Sequence, residues 1–203
     1  MKFYLSSYKM GREAAKLKKM LPKNKKIAYI INALDYKVPN PEKLSDNLKR
    51  LKTAGLKPEI LDLKKYFGKQ RGLEKKLAEF GAVWVNGGNT FVLRQAMRLS
   101  GFDNIFNKLL KRKDFVYGGY SAGICILAKD LHGLEIVDDP HQKPYGKRSK
   151  VLWNGLGFLD YMILPHYKSD HPESKLVGKT VQYFIDNKLL FKVLRDGEVI
   201  IIE

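Results

Sequence analysis

The segment FVYGGYSAGICIL, residues 115–127, holds the residues best suited to chemistry: a serine between glycines, after strand-forming residues and before a small apolar run. Within it GYSAG (119–123) fits G-x-S-x-G, the nucleophile elbow. In that motif a sharp strand-to-helix turn holds the serine in a strained backbone conformation and exposes its hydroxyl. Gly119 and Gly123 would keep side chains out of the crossing between strand and helix. The helix start would supply free N–H groups and partial positive charge to a developing oxyanion. The alternative is a plain Gly/Ser turn without chemistry. Placement decides for the nucleophile, because Ser121 stands where a strand ends and a helix begins.

An oxyanion needs a second donor besides the N–H of Ala122, normally from the turn after a neighbouring strand. VWVNGGNTFVL (83–93) offers one, since Gly87 and Gly88 end a strand with bare amides and Asn89 or Thr90 caps the next helix. Gly88 and Ala122 are the expected oxyanion pair, with Asn89 and Thr90 as candidate substrate-binding residues. A neutral serine also needs a base. His166 directly follows the apolar run in DYMILPHYKSDHPES, again at the carboxyl end of a strand. His171 lies in a polar segment that starts a helix, and His132 and His141 fall in a Gly/Pro/Asp-rich loop. His166 is therefore the expected base. His166, Asp170 and His171 could ligate a metal by residue type, but their spacing matches no ligand set, and no metal or cofactor is expected. An acid must orient the base, and Asp138, Asp139 and Asp196 all remain open. Each belongs to Asp-Pro or Asp-Gly turn chemistry, so spacing does not choose among them.

These side chains need a frame. KFYLSS (2–7), KIAYIIN (26–32), PEILDL (58–63), AVWVNGG (82–88) and FVYGG (115–119) read as strands bounded by Gly, Pro or Asn. NPEKLSDNLKRLKTAG (40–55) reads as a helix capped by Asn40, with Pro41 in its first turn and Gly55 at its end. Leu44, Leu48 and Leu51 share one face of it. A further helix is expected over 172–187, and FKVLRDGEVIIIE (191–203) suggests a terminal β-hairpin turning at Asp196-Gly197. Strand–helix alternation implies a mostly parallel sheet flanked by helices, an α/β three-layer sandwich whose functional crevice lies at the strands' carboxyl ends.

Length and composition agree with one domain spanning 1–203, because single cores hold up to ~250 residues. No apolar run approaches a membrane span, the N-terminal stretch lacks a signal-peptide pattern, and a cytoplasmic location is expected. Cys125, the single cysteine, can form no internal disulfide and is expected to be a small buried apolar residue. Net charge is +17, yet the lysines spread along the whole chain, so nucleic acid is not the expected partner. The densest run, 16–26, reads as a solvated face.

At NGGNTFVL (86–93), GGYSAGICIL (118–127), DDP (138–140), GLGFLDYMILPHY (155–167) with SDHPES, and DGEVIII (196–202), the chain resembles peptidase family S51, the dipeptidase E or aspartyl dipeptidase group. The resemblance spans nearly the whole chain. It implies a class I glutamine amidotransferase-like fold and a metal-free serine peptidase that cleaves dipeptides with an N-terminal aspartate through an acyl-enzyme. Ser121 would be the nucleophile and His166 the base. Asp138 matches the family's aspartate before a proline and Asp196 the acidic residue before the C-terminal glycine. Asn86 stands where the family often has a third glycine. A small acidic peptide is the implied partner. Rival readings are a glutamine amidotransferase domain, which would need cysteine at position 121, and an α/β-hydrolase, for which the chain is short. A cyanophycinase-like activity and a non-enzymatic binding module with a basic surface complete the set.

Overall fold

Strand–helix alternation produces the expected sheet. The computed structural model describes residues 1–23, 26–146 and 150–203, so Asn24 and Lys25 of the lysine run 16–26 lie outside the described residues. The strands are β1 (Lys2–Ser6), β2 (Lys26–Ile30), β3 (Lys57–Ile60), β4 (Ala82–Val85), β5 (Val116–Tyr120), β6 (Met162–Leu164), β7 (Phe191–Val193) and β8 (Val199–Ile202). Six of them form one sheet in the order β3-β2-β4-β5-β1-β8, parallel except for β8. The helices are α1 (Ala14–Met20), α2 (Pro41–Thr53), α3 (Gln70–Leu77), α4 (Thr90–Ser100), α5 (Phe102–Leu109), α6 (Ala122–Cys125) and α7 (Ser174–Asp186).

Alternation along the strands divides the interior into two cores, one per sheet face. Phe3 and Leu5 of β1 join one cluster with Val83 and Val85 of β4, whereas Tyr4 and Trp84 point into the other. The first core is covered by α3 to α7, the second by α1 and α2. That makes three layers. The Asn40 side chain accepts from Lys43 N at 2.8 Å and caps α2, whose Leu51 is buried while Leu44 and Leu48 pack alongside it.

The terminal hairpin does not form. The chain does turn at Asp196-Gly197, with Glu198 N donating to Arg195 O at 2.9 Å, but the two strands part there. β7 pairs in parallel with β6, and β8 runs antiparallel along β1. Each strand thereby satisfies a ladder that a local hairpin would leave open: the free edge of β1 and the buried Met-Ile-Leu run of β6. The turn is consequently stretched between two sheets, directly over the carboxyl end of β1.

Candidate active site

Register decides what surrounds Ser121. β5 lies between β4 and β1, with Gly119 opposite Val85 on one side and Leu5 on the other. Two residues further, Gly87 and Ser7 therefore flank Ser121, all at strand carboxyl ends. Ser121 has φ 51° and ψ −123°, a left-handed conformation that a residue with a Cβ adopts only under constraint. The constraint is visible. Its N–H donates to Ser7 O at 3.2 Å, and its carbonyl accepts from Ile124 N and Cys125 N at 2.8 and 3.1 Å. Gly123 makes the turn possible, because a Cβ there would stand 2.4 Å from Val85 O. The hydroxyl sits at a crevice and Ser121 is half-buried.

His166 follows β6 and is 1% exposed, with φ 61°. Its Nδ1 lies 2.7 Å from Asp196 Oδ1, which leaves Nε2 for a proton acceptor's role. Asp196 is thus the carboxylate that geometry joins to His166. Asp138, the other acid that the resemblance offers, is engaged elsewhere: its Oδ2 accepts from Thr90 N at 2.8 Å. The divided hairpin is the reason, since only a turn spanning both sheets reaches the histidine. Asp139 accepts from His141 N and Gln142 Nε2 as an ordinary turn residue.

Ser7 is the residue that the sequence reading missed. Its hydroxyl donates to Asp196 Oδ1 at 2.9 Å and accepts from His166 N at 2.9 Å, while its carbonyl holds Ser121 N. One fully buried residue thus ties all three together, Asp196 and His166 through its hydroxyl and Ser121 through its carbonyl. The available signal was a polar Ser-Ser pair closing an apolar strand, and pairing across 114 positions lies beyond any local pattern.

The N–H groups of Gly88 and Ala122 have no acceptor among the described residues, as an oxyanion pair requires. Gly88 sits at φ 144° with Ala33 O where a Cβ would be, so only glycine fits. Asn89 caps α4, its Oδ1 accepting from Val92 N at 2.9 Å, and its Nδ2 donates to Asp139 O at 2.8 Å. Thr90 lines a small inner cavity behind Ser121 together with Asp138, Cys125 and Glu173. Burial pushes the Asp138 carboxyl up to about 7 against the opposing bonds from Thr90, with Glu173 adding repulsion. Cys125 is buried as expected, its thiol donating to Ile163 O at 3.3 Å and its pKa pushed well up by burial.

The outer crevice is lined by Lys9, Lys37 and Lys43 with Glu173, beside Ser121 and His166. His171 stacks on His166 with ring centroids 3.7 Å apart and planes within 8°. Burial and the neighbouring imidazole lower its pKa. His166, His171 and Glu173 place ligand atoms within 4.8 Å of one another, whereas Asp170 of the sequence-based set stands outside that group. Imidazole lone pairs lie in the ring plane, so those of two stacked parallel rings run side by side and converge poorly on one ion.

A mostly parallel α/β sheet carrying a strained serine, a His–Asp pair and two free amides is the arrangement on which serine-hydrolase chemistry can be built. The sequence matches peptidase family S51 over residues 6–203, and the chain belongs to that family. Similar relatives are an uncharacterized peptidase of Listeria innocua, 30% identical over 128 residues, and one of Listeria monocytogenes, 28% identical over 149. These alignments cover 58% and 71% of this chain and 57% and 67% of the relatives, so the chain matches little more than half the length of the first. A Listeria monocytogenes crystal structure described as a "Putative Peptidase E Protein" superposes with a TM-score of 0.75 at 20% identity, covering 98% of this chain and 96% of the other. A peptidase from an acI-B1 Actinobacterium gives 0.66 at 11% identity, covering 98% and 82%. At such identities the structural matches establish the fold. Among the described residues no helix is long and apolar enough to cross a membrane.

Proposed function

We propose that the protein hydrolyses small peptides, with dipeptides bearing an N-terminal aspartate as the favoured substrates. Ser121 attacks the scissile carbonyl, His166 Nε2 takes the serine proton, and Asp196 holds the imidazole in the required tautomer. Gly88 and Ala122 N–H receive the oxyanion. The tetrahedral adduct collapses to an acyl-enzyme as His166 returns the proton to the leaving amine. Water then repeats the sequence and frees the acid. The observation that carries this reading is the 2.7 Å contact between His166 Nδ1 and Asp196, beside the strained Ser121 turn.

Charge in the outer crevice supports the substrate class. Glu173 offers a carboxylate for the peptide's α-ammonium, and Lys9, Lys37 and Lys43 offer ammonium groups for an aspartate side chain. Such charge-assisted bonds contribute about 1.5–3 kcal/mol each. Asp-X dipeptides are therefore expected to exceed Asn-X by at least ~10-fold in kcat/KM, a gap of about 1.4 kcal/mol. The inner cavity, with Asp138 and Glu173 in its lining, has about 20 Å³ of room, enough for a water and not for a first-residue side chain. A preference for Lys-X or Leu-X over Asp-X would therefore count against the outer crevice as the aspartate site. A screen of dipeptides varied at the first residue makes the measurement. Equal rates on Asp-X, Asn-X and Leu-X would remove the aspartate assignment.

Hydrolysis is expected to be unchanged by a chelator, because the scheme uses only side chains and amides. Activity lost to a chelator and restored by a divalent ion would instead assign His166, His171 and Glu173 to a metal.

A further inference from the structure

The turn after β4 differs from a plain glycine turn by Asn86, which is 2% exposed and bonded in three directions. Its Oδ1 accepts from Tyr29 Oη at 2.5 Å and from Tyr120 Oη at 2.6 Å, and its Nδ2 donates to Gly87 O at 2.7 Å. Only one orientation of the amide serves all three partners, for the reverse would set oxygen against the Gly87 carbonyl. Burial raises the pKa of both tyrosines, so each remains a phenol able to donate. The Asn86 side chain is thus clamped by two phenols and grips one backbone carbonyl.

That carbonyl shares a peptide unit with the Gly88 N–H. The unit is planar and trans, so its N–H points opposite to its C=O. Holding Gly87 O on Asn86 Nδ2 therefore fixes the opposite direction for the Gly88 N–H, at a residue that lines the crevice together with Ser121, Asn86 and Tyr120. Glycine at 87 and 88 leaves this peptide free to rotate, and Asn86 supplies the restraint. The approach is close, since a Cβ on Gly87 would stand 2.9 Å from Ser121 Cβ.

We infer that Asn86, seated by Tyr29 and Tyr120, is a positioning residue that aims the Gly88 N–H at the oxyanion of the reaction proposed above. The inference rests on Ser121 being the nucleophile, so the test uses a probe of that serine needing no peptide substrate. A fluorophosphonate phosphonylates an activated serine: Ser121 Oγ bonds to phosphorus, fluoride leaves, and His166 takes the proton. The phosphoryl oxygen occupies the oxyanion position.

Wild type, Asn86→Ala and Tyr29→Phe are compared by the rate of adduct formation at Ser121, read by mass spectrometry across pH. Near-ultraviolet circular dichroism reports the fold. Asn86→Ala is expected to lower the plateau rate by about 10–100-fold, part of the loss that follows removal of a whole oxyanion donor. Its pH midpoint should stay that of wild type, because the base is untouched. Tyr29→Phe, remote from the crevice, should fall between the two. A folded Asn86→Ala labelled within about twofold of wild type overturns the inference, as does a shifted midpoint, which would route the effect through His166. Should Asn86→Ala fail to fold, Tyr29→Phe decides: a plateau equal to wild type overturns the inference. Wild type that takes no label at Ser121 removes the peptidase reading itself, and the inference with it.

Discussion

Ser121→Ala is expected to lower kcat by at least ~10⁴-fold while leaving the protein folded, with a stability change below ~1 kcal/mol. The two halves of this result have separate causes. Alanine keeps the Cβ, so the backbone at φ 51° bears the same strain, and the bonds from Ser121 N and to its carbonyl are untouched. Only the hydroxyl at the crevice is lost. Without it the oxyanion amides and the crevice can still bind a peptide, but no acyl-enzyme forms. Turnover is measured on the best dipeptide of the first-residue screen and stability by urea denaturation. A variant retaining a tenth of wild-type turnover would rule out Ser121 as the nucleophile.

Asp196→Asn is expected to lower kcat by about 10²–10⁴-fold, whereas Asp138→Asn costs less than about tenfold. An asparagine at 196 that turns its amide to His166 Nδ1 forces the proton onto Nε2, which then cannot act as a base. Turned the other way, it still lacks the charge that stabilises the imidazolium. Asp138 contacts Thr90 N, and an asparagine oxygen can accept that bond equally. Its own signature lies in stability against pH. A carboxyl raised from its ordinary range to about 7 binds more protons folded than unfolded between about pH 4 and 7. Wild-type stability therefore falls as pH rises through that window. Asp138→Asn removes the dependence, so relative to wild type it gains about 2–3 kcal/mol between pH 5 and pH 8, a shift of one unit being worth about 1.4 kcal/mol. Equal kinetic losses in the two variants would return Asp138 to the role of orienting acid.

Much of the fold was legible from the residues because it follows from local patterns. β1 to β5 fall where apolar runs meet Gly, Pro or Asn, and α2 starts at its Asn40 cap. Ser121 and His166 were readable for the same reason, since each stands directly behind a strand and the carboxyl end of a parallel strand is where a crevice opens. In that sense the polypeptide by itself determined the elbow, the glycine-bearing turn after β4 and the parallel direction of the sheet's main strands. It also determined that no internal disulfide forms. Short helices such as α1 and α3 went unread, because seven or eight lysine-rich residues carry too little periodicity to stand out.

Tertiary structure decided the rest, through pairings between distant segments. Asp196-Gly197 has the local chemistry of a hairpin turn, yet β7 and β8 leave for different sheets, where β7 pairs the buried β6 and β8 covers the edge that β1 would otherwise leave open. That divergence, and no local preference, delivers Asp196 to His166 and leaves Asp138 against Thr90. Likewise Ser7 and Asn86 acquire their places only when β1 and β4 align with β5. A residue's type and its neighbours in sequence state what it can donate or accept. Which partner it meets is settled by strand register, a property of the whole sheet.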